Sequence, residues 1–71
     1  MNKFSERLQE LRVEQNLSQN QLAKALNNEL TNSAISLWEL GKRSPNLEAL
    51  IVLAKYFKVS IDYLAGLTDE R

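Results

Sequence analysis

The stretch Thr31-Asn32-Ser33-Ala34-Ile35-Ser36-Leu37-Trp38-Glu39-Leu40-Gly41-Lys42-Arg43-Ser44-Pro45 decides the fold. It has the form of a short helix, a stop and a basic knuckle. Thr31 or Asn32 can accept a hydrogen bond from the free backbone N–H groups of a first turn, so a helix can start at either. Ile35 and Trp38 lie on one face of that helix and are expected in the core. Gly41 can take the left-handed conformation that ends a helix. Lys42 and Arg43 follow directly, and Pro45 prevents resumption. The opposite face carries Asn32, Ser33, Ser36 and Leu37, which are small or amide-bearing and uncharged.

Upstream, residues 3–16 read as an amphipathic helix, with Phe4, Leu8 and Leu11 at the spacing of one face. Glu6, Arg7, Gln9, Glu10 and Glu14 fall to the wet side, Arg12 flanks the apolar stripe, and Asn16 can close the helix. Ser18 and Gln21 form a capping-box pattern that opens a second helix at Gln19. Leu17 is placed to staple against Leu22, and Leu22, Ala23 and Leu26 face inward. Gln19 holds a first-turn position whose free N–H groups favour a phosphate. Asn27 or Asn28 can adopt positive φ in the following turn, and Leu30 plugs it from below.

Downstream, Asn46 is the expected cap of a helix over 47–57. Leu47, Leu50, Leu53, Ala54 and Phe57 are its inward positions, Ile51 is marginal, and Val52 and Tyr56 point largely outward. Val59 is a staple before Ser60, which caps a short helix over 61–65. Ile61, Leu64 and Tyr63 pack inward, Gly66 is the stop, and Leu67 can fold back. The spacing thus predicts a compact all-α domain of five helices over 1–67, followed by a frayed tail over 68–71. No window alternates as a strand does.

Composition removes several function classes. The 71 residues contain no cysteine and no histidine, so neither a disulfide nor the commonest general base and transition-metal ligand is present. No metal site, cofactor, small-molecule substrate or enzyme activity is expected. The carboxylates are scattered, and Asp62 is better explained as an acid at a capped helix start than as half of a catalytic pair. No apolar run approaches the roughly 18 residues that span a membrane. The N-terminal residues lack the apolar segment of a signal peptide, so the expected location is the cytoplasm and no membrane partner is foreseen. Nine basic residues balance nine acidic ones. That balance disfavours a nonspecific nucleic-acid coat, although local placement of charge decides binding.

The second helix, the turn and the third helix make a helix-turn-helix, with the third in the reading position. A helix that enters the major groove meets base-edge donors, acceptors and the thymine methyl. Its outer face should carry amides, hydroxyls or small apolar groups and no carboxylate. Asn32, Ser33, Ser36 and Leu37 satisfy that rule. Asn32 could pair with adenine and Leu37 with a thymine methyl. Phosphates would be held by Gln19, by Thr31 and other helix starts, and by Lys42, Arg43 and Ser44.

Three segments carry a family resemblance: L-S-Q-N-Q-L-A-K-A-L, A-I-S-L-W-E-L-G-K-R-S-P-N-L-E-A-L and L-A-K-Y-F-K-V-S-I-D-Y-L-A-G. From about Phe4 to Gly66 the chain resembles the Cro/cI-type helix-turn-helix domain of lambdoid phage repressors and xenobiotic-response-type regulators. The resemblance implies a five-helix, lambda-repressor-like fold that binds operator DNA as a homodimer and regulates transcription, as a repressor. It matches Gln19 to a position touching the DNA backbone and sometimes a base. It matches Asn32, Ser33, Ser36 and Leu37 to base-facing positions, and Lys42, Arg43 and Ser44 to a phosphate-binding knuckle. It also matches Arg12 and Glu39 to a pair that forms a buried salt bridge in some members.

Two features depart from the family pattern. The turn at Asn27-Asn28-Glu29-Leu30 is longer than the usual glycine-centred one. The third helix has no Arg or Lys, and places Leu37 and Leu40 where polar residues are common. Several roles therefore stay open. Leu37 suits a thymine methyl, a protein interface or plain exposure, and Lys42 and Arg43 suit phosphates or simple solubility. Val52, Tyr56 and Leu67 are either scattered surface apolars or part of a dimer contact. An alternative reading of the chain is a protein-interaction module, such as an antitoxin or anti-regulator, built on the same fold.

Overall fold

The computed structural model describes residues 3–71. Met1 and Asn2, and with them the first residues of the expected domain and of the segment read as lacking a signal peptide, lie outside the described residues. The chain forms α1 (Lys3–Glu14), α2 (Gln19–Ala25), α3 (Asn32–Glu39), α4 (Leu47–Phe57) and α5 (Ile61–Ala65). No strand occurs among the described residues.

Short polar side chains start four of these helices. The Ser18 hydroxyl accepts from the Gln21 N–H while the Gln21 carbonyl oxygen accepts from the Ser18 N–H, a complete capping box. Thr31, Asn46 and Ser60 accept in the same way from Ala34, Ala49 and Tyr63. All five helices end by one backbone device. Asn16, Asn27, Gly41, Lys58 and Gly66 have positive φ. The N–H of the next residue then reaches back over the stop: Leu17 to Arg12, Asn28 to Ala23, Lys42 to Leu37, Val59 to Ala54 and Leu67 to Asp62. Carbonyls that a helix end would strand are thereby satisfied. Asn27 and Asn28 both take the left-handed form, which bends the chain sharply without glycine.

α1 packs against α3 and α5, α2 against α3, and α4 against α5. Leu8, Leu22, Ile35, Leu53 and Leu64 are fully buried at the centre. Phe4 meets Trp38 edge-on, with ring centroids 6.1 Å apart, and joins α1 to α3. The Ser5 hydroxyl donates to the Trp38 carbonyl in the same seam. Leu17, Leu30 and Val59 are half-buried against this core.

Four expectations about packing are corrected. Leu47 is 65% exposed, and Ala49 takes an inward position at 2%. The reason is phase: Leu47 precedes Leu53 by six residues and so lies about 120° off the buried stripe. Val52 and Tyr56, expected outward, are half-buried against the core. Leu67 does not fold back and is 78% exposed.

Arg7 is the fourth correction. It was read as wet by its identity, yet it lies three residues after Phe4 and four before Leu11, on the inward stripe. Its side chain is 8% exposed. The guanidinium lies 4.2 Å from the Tyr63 ring centroid and donates to the Tyr63 carbonyl, the Thr68 carbonyl and Asp69 Oδ1. A buried cation needs this full set of acceptors to offset its lost hydration.

These contacts also change the reading of residues 68–71. The segment has partners along its length. Besides the Arg7 bonds, the Arg71 carbonyl accepts from the Ser60 N–H at 2.8 Å, and the Arg71 guanidinium donates to both oxygens of Glu14. That hydrogen bonding holds the Glu14 carboxyl below its ordinary value of 4.5 and raises the Arg71 guanidinium further.

Two measurements check this frame. Gly66 combines a φ of +86° with close packing, since a Cβ there would stand 2.6 Å from the Cβ of Lys3. Gly66→Ala is expected to destabilise the domain by about 1–3 kcal/mol, seen as a lower urea midpoint at unchanged slope. Glu14 is the depressed-acid case, so its ion pair contributes above pH 4.5 and is lost as pH falls through the lower folded value. In a carboxyl NMR titration, the Glu14 midpoint is expected below 4.5, and Arg71→Ala is expected to return it to that value.

Candidate nucleic-acid interface

With Ile35 and Trp38 buried, the opposite face of α3 is fixed in the open. Asn32 and Ser33 are exposed at its start, Ser36 and Leu37 are half-buried along it, and Leu40 is exposed at its end. No carboxylate stands on this face, because Glu39, the only acid in α3, is turned inward and is 6% exposed. The Thr31 hydroxyl oxygen accepts from the Ala34 N–H, which leaves its own hydrogen free to donate outward.

Past α3 the chain turns at Gly41 (φ +74°), and Lys42 donates its backbone N–H to the Leu37 carbonyl. Lys42, Arg43 and Ser44 follow as an exposed run beside the face. Neither cation forms an ion pair among the described residues. Exposed, uncompensated cations beside a neutral polar helix face are suited to acceptor-rich oxyanions.

Beneath this surface, Glu39 joins three helices. Its Oε2 accepts from Arg12 Nε at 2.7 Å, and its Oε1 accepts from Arg12 Nη2 at 2.9 Å and from Gln19 Nε2 at 3.2 Å. Arg12 Nη1 also donates to the Leu17 carbonyl at 2.7 Å, closing the link between α1 and the loop before α2. The fork geometry adds direction as well as attraction. Hydrogen bonding to Glu39 raises the Arg12 guanidinium above its already high ordinary value, so Arg12 stays charged at any working pH.

The sequence-derived residues thus fall into three groups. Asn32, Ser33, Ser36 and Leu37 share the outer side of α3, and Thr31, Lys42, Arg43 and Ser44 lie at its two ends. Gln19, expected beside the phosphates, opens α2 and donates one side-chain N–H to Glu39. Its half-burial and this bond have no signal in local spacing, since Glu39 lies twenty residues on in another helix. The turn at Asn27–Leu30 is closed by bonds from Asn27 to the Lys24 carbonyl and from Glu29 to the Leu26 carbonyl, in addition to the Asn28 bond. Its extra length is taken up locally.

A double-mutant cycle checks the Glu39 junction. Either single change, Arg12→Ala or Glu39→Ala, is expected to cost about 3 kcal/mol in chemical denaturation, the lower end for a buried pair because Arg12 keeps some exposure. The double change is expected to cost clearly less than the sum.

Comparison with known proteins bears on the same region. The chain is 49% identical over 61 residues to the HTH-type transcriptional activator BcrR of Enterococcus faecalis, covering 86% of this chain and 29% of that protein. It is 34% identical over 67 residues to YobD of Bacillus subtilis, named an uncharacterized HTH-type transcriptional regulator, covering 94% of this chain and 58% of that one. It is 38% identical over 61 residues to YqaE of Bacillus subtilis, also named an uncharacterized HTH-type transcriptional regulator, covering 86% and 51%. The chain therefore spans between about three-tenths and six-tenths of the curated relatives it matches. Solved structures offer no significant match. A family model described as helix-turn-helix matches residues 8–64, so the chain, with its capped α2, its turn and its outward-facing α3, belongs to the Cro/cI-type helix-turn-helix family.

Proposed function

We propose that this domain binds double-stranded DNA sequence-specifically and regulates transcription without catalysing a reaction. The observation that carries this reading is the outer side of α3. It is neutral, polar and free of carboxylates, and it is flanked by the unpaired cations Lys42 and Arg43. In the proposed complex α3 lies in the major groove. Asn32, Ser33, Ser36 and Leu37 face base edges, while Thr31, Lys42, Arg43 and Ser44 hold the phosphates. No arginine on α3 is available to read guanine bidentately. Specificity then leans on amide and hydroxyl contacts, on thymine methyls and on DNA shape.

Two copies are proposed to occupy a pseudo-palindromic site, with their third helices about 34 Å apart. One copy alone makes few phosphate contacts, so single-copy binding is weak and falls steeply with salt. Repression needs only occupancy of a promoter-overlapping operator, which this domain could supply alone. One relative is named an activator, and activation would require a further surface for the transcription machinery. The proposed place of action is the cytoplasm, with the DNA. No described helix is long and apolar enough to cross a membrane.

A second reading has its own observation. Leu40 and Leu47 are 59% and 65% exposed on either side of the basic knuckle. Apolar groups in that position also suit a protein partner, as in an antitoxin or anti-regulator.

Selection from a random duplex pool at low salt separates the two readings. Enrichment of a defined motif is expected. Asn32→Ala is expected to relax preference at one base position, while Lys42→Ala weakens all sequences alike and lowers the salt slope by about one. A pool that stays random would sink the DNA-reading proposal.

A further inference from the structure

The outward sides of α1 and α4 carry charges of opposite sign. On α1 the exposed side holds Glu6, Gln9, Glu10 and Val13. On α4 it holds Leu47, Ile51 and Lys55 at four-residue spacing, with Lys58 at the helix end. Glu48, the acid on α4, stands in the first turn, where a helix start favours it. Glu6 and Glu10 are one turn apart, a like-charge spacing that weakens a helix, and Lys55 and Lys58 repeat it with the other sign. None of these four charges forms an ion pair among the described residues. Val13 and Leu47 are exposed, and Ile51 is half-buried without joining the core.

Taken antiparallel, the two stripes match. Glu6 and Val13 lie seven positions apart, as do Ile51 and Lys58, which is about 10 Å of helix. With Lys58 opposite Glu6, Lys55 falls beside Glu10 and Ile51 falls on Val13. Both carboxylates then meet an ammonium group, and the exposed apolar groups cover one another. Within one chain the two stripes stay apart, since all four charges are exposed and unpaired. A second copy supplies the complementary stripe for each. The formal net charge of zero leaves two copies with no overall repulsion to overcome.

We propose that the outward side of α1 docks antiparallel on α4 of a second copy, with Glu6 and Glu10 paired to Lys58 and Lys55 and with Val13 against Ile51. Leu47 extends the apolar end of the contact. The two surfaces differ, so the contact is heterologous and one copy can take a neighbour on each side. It uses none of the residues proposed for DNA and leaves the outer side of α3 free. A single helix pair is smaller than a standard interface, so the association is weak and falls with salt.

The test is sedimentation velocity over a concentration series at low salt. It uses the unaltered chain, a variant with Glu6→Lys and Glu10→Lys, and a variant with Lys55→Glu and Lys58→Glu. Helical circular dichroism confirms that each is folded. The unaltered chain is expected to sediment faster as concentration rises. Each variant alone is expected to lose that rise, because its two stripes then carry one sign. Mixing the two variants is expected to restore it, since the lysines of one meet the glutamates of the other. A nonspecific loss of association would not be restored in this way. Where a reversal unfolds the domain, glutamine at the same pair of positions removes the attraction without adding repulsion, and a rise that persists there overturns the proposal. So does a folded reversal variant that associates as the unaltered chain does, or a mixture that stays monomeric. An unaltered chain that stays monomeric throughout also overturns it and leaves the two stripes to solvent or to a different protein. No DNA is present, so the outcome is separate from that of the DNA-binding reading.

Discussion

The arrangement of α1, α2 and α3 depends on one buried carboxylate. Glu39 is 6% exposed, and burying its charge without partners would cost several kcal/mol. The cost is offset only where donors from α1 and α2 arrive together. Arg12 supplies two N–H groups and Gln19 a third. Hydrophobic packing by Ile35 and Trp38 brings α3 to the core but tolerates some sliding. The Glu39 contacts remove that freedom, because hydrogen bonds to a charged fork are directional. The same carboxylate that keeps a negative charge off the outer side of α3 also fixes how that side is presented.

Much of the fold was legible because its determinants are local. Ser18, Thr31, Asn46 and Ser60 cap within their own first turns, and the helix bounds that follow from them match the reading at α4 and α5. Asn16, Gly41 and Gly66 could be read as stops for the same reason. Lys58 could not, since lysine gains nothing chemically from the left-handed form it adopts. Arg7 is wet by residue type but inward by phase, and the acceptors that favour phase lie some sixty positions away. The contacts of residues 68–71 are equally remote in sequence. The segment's composition is that of a solvated end, and only the folded chain brings Glu14 and Arg7 beside it.

The face of α3 was legible from periodicity alone once Ile35 and Trp38 were placed inward. The Arg12–Glu39 pairing came from resemblance, since nothing in local spacing joins residues 12 and 39. The longer turn before α3 left the start of that helix in question. In the structure, the two left-handed asparagines close α2 by backbone bonds, and Thr31 opens α3 by its own cap. The start of α3 is thus set by its cap and its core contacts, while the turn absorbs its extra length.

The two termini of the described chain are stapled side by side. Lys3 packs on Gly66, Arg7 holds Thr68 and Asp69, and Glu14 holds Arg71. Peeling at one end therefore disturbs contacts made by the other. Detaching residues 68–71 strips Arg7 of two of its acceptors and removes Arg71 from the Tyr63 ring. Opening α1 from its start removes the seat of the tail in the same way. End fraying, usually the least costly local opening in a small helical domain, here also breaks contacts that the other end of the described chain makes.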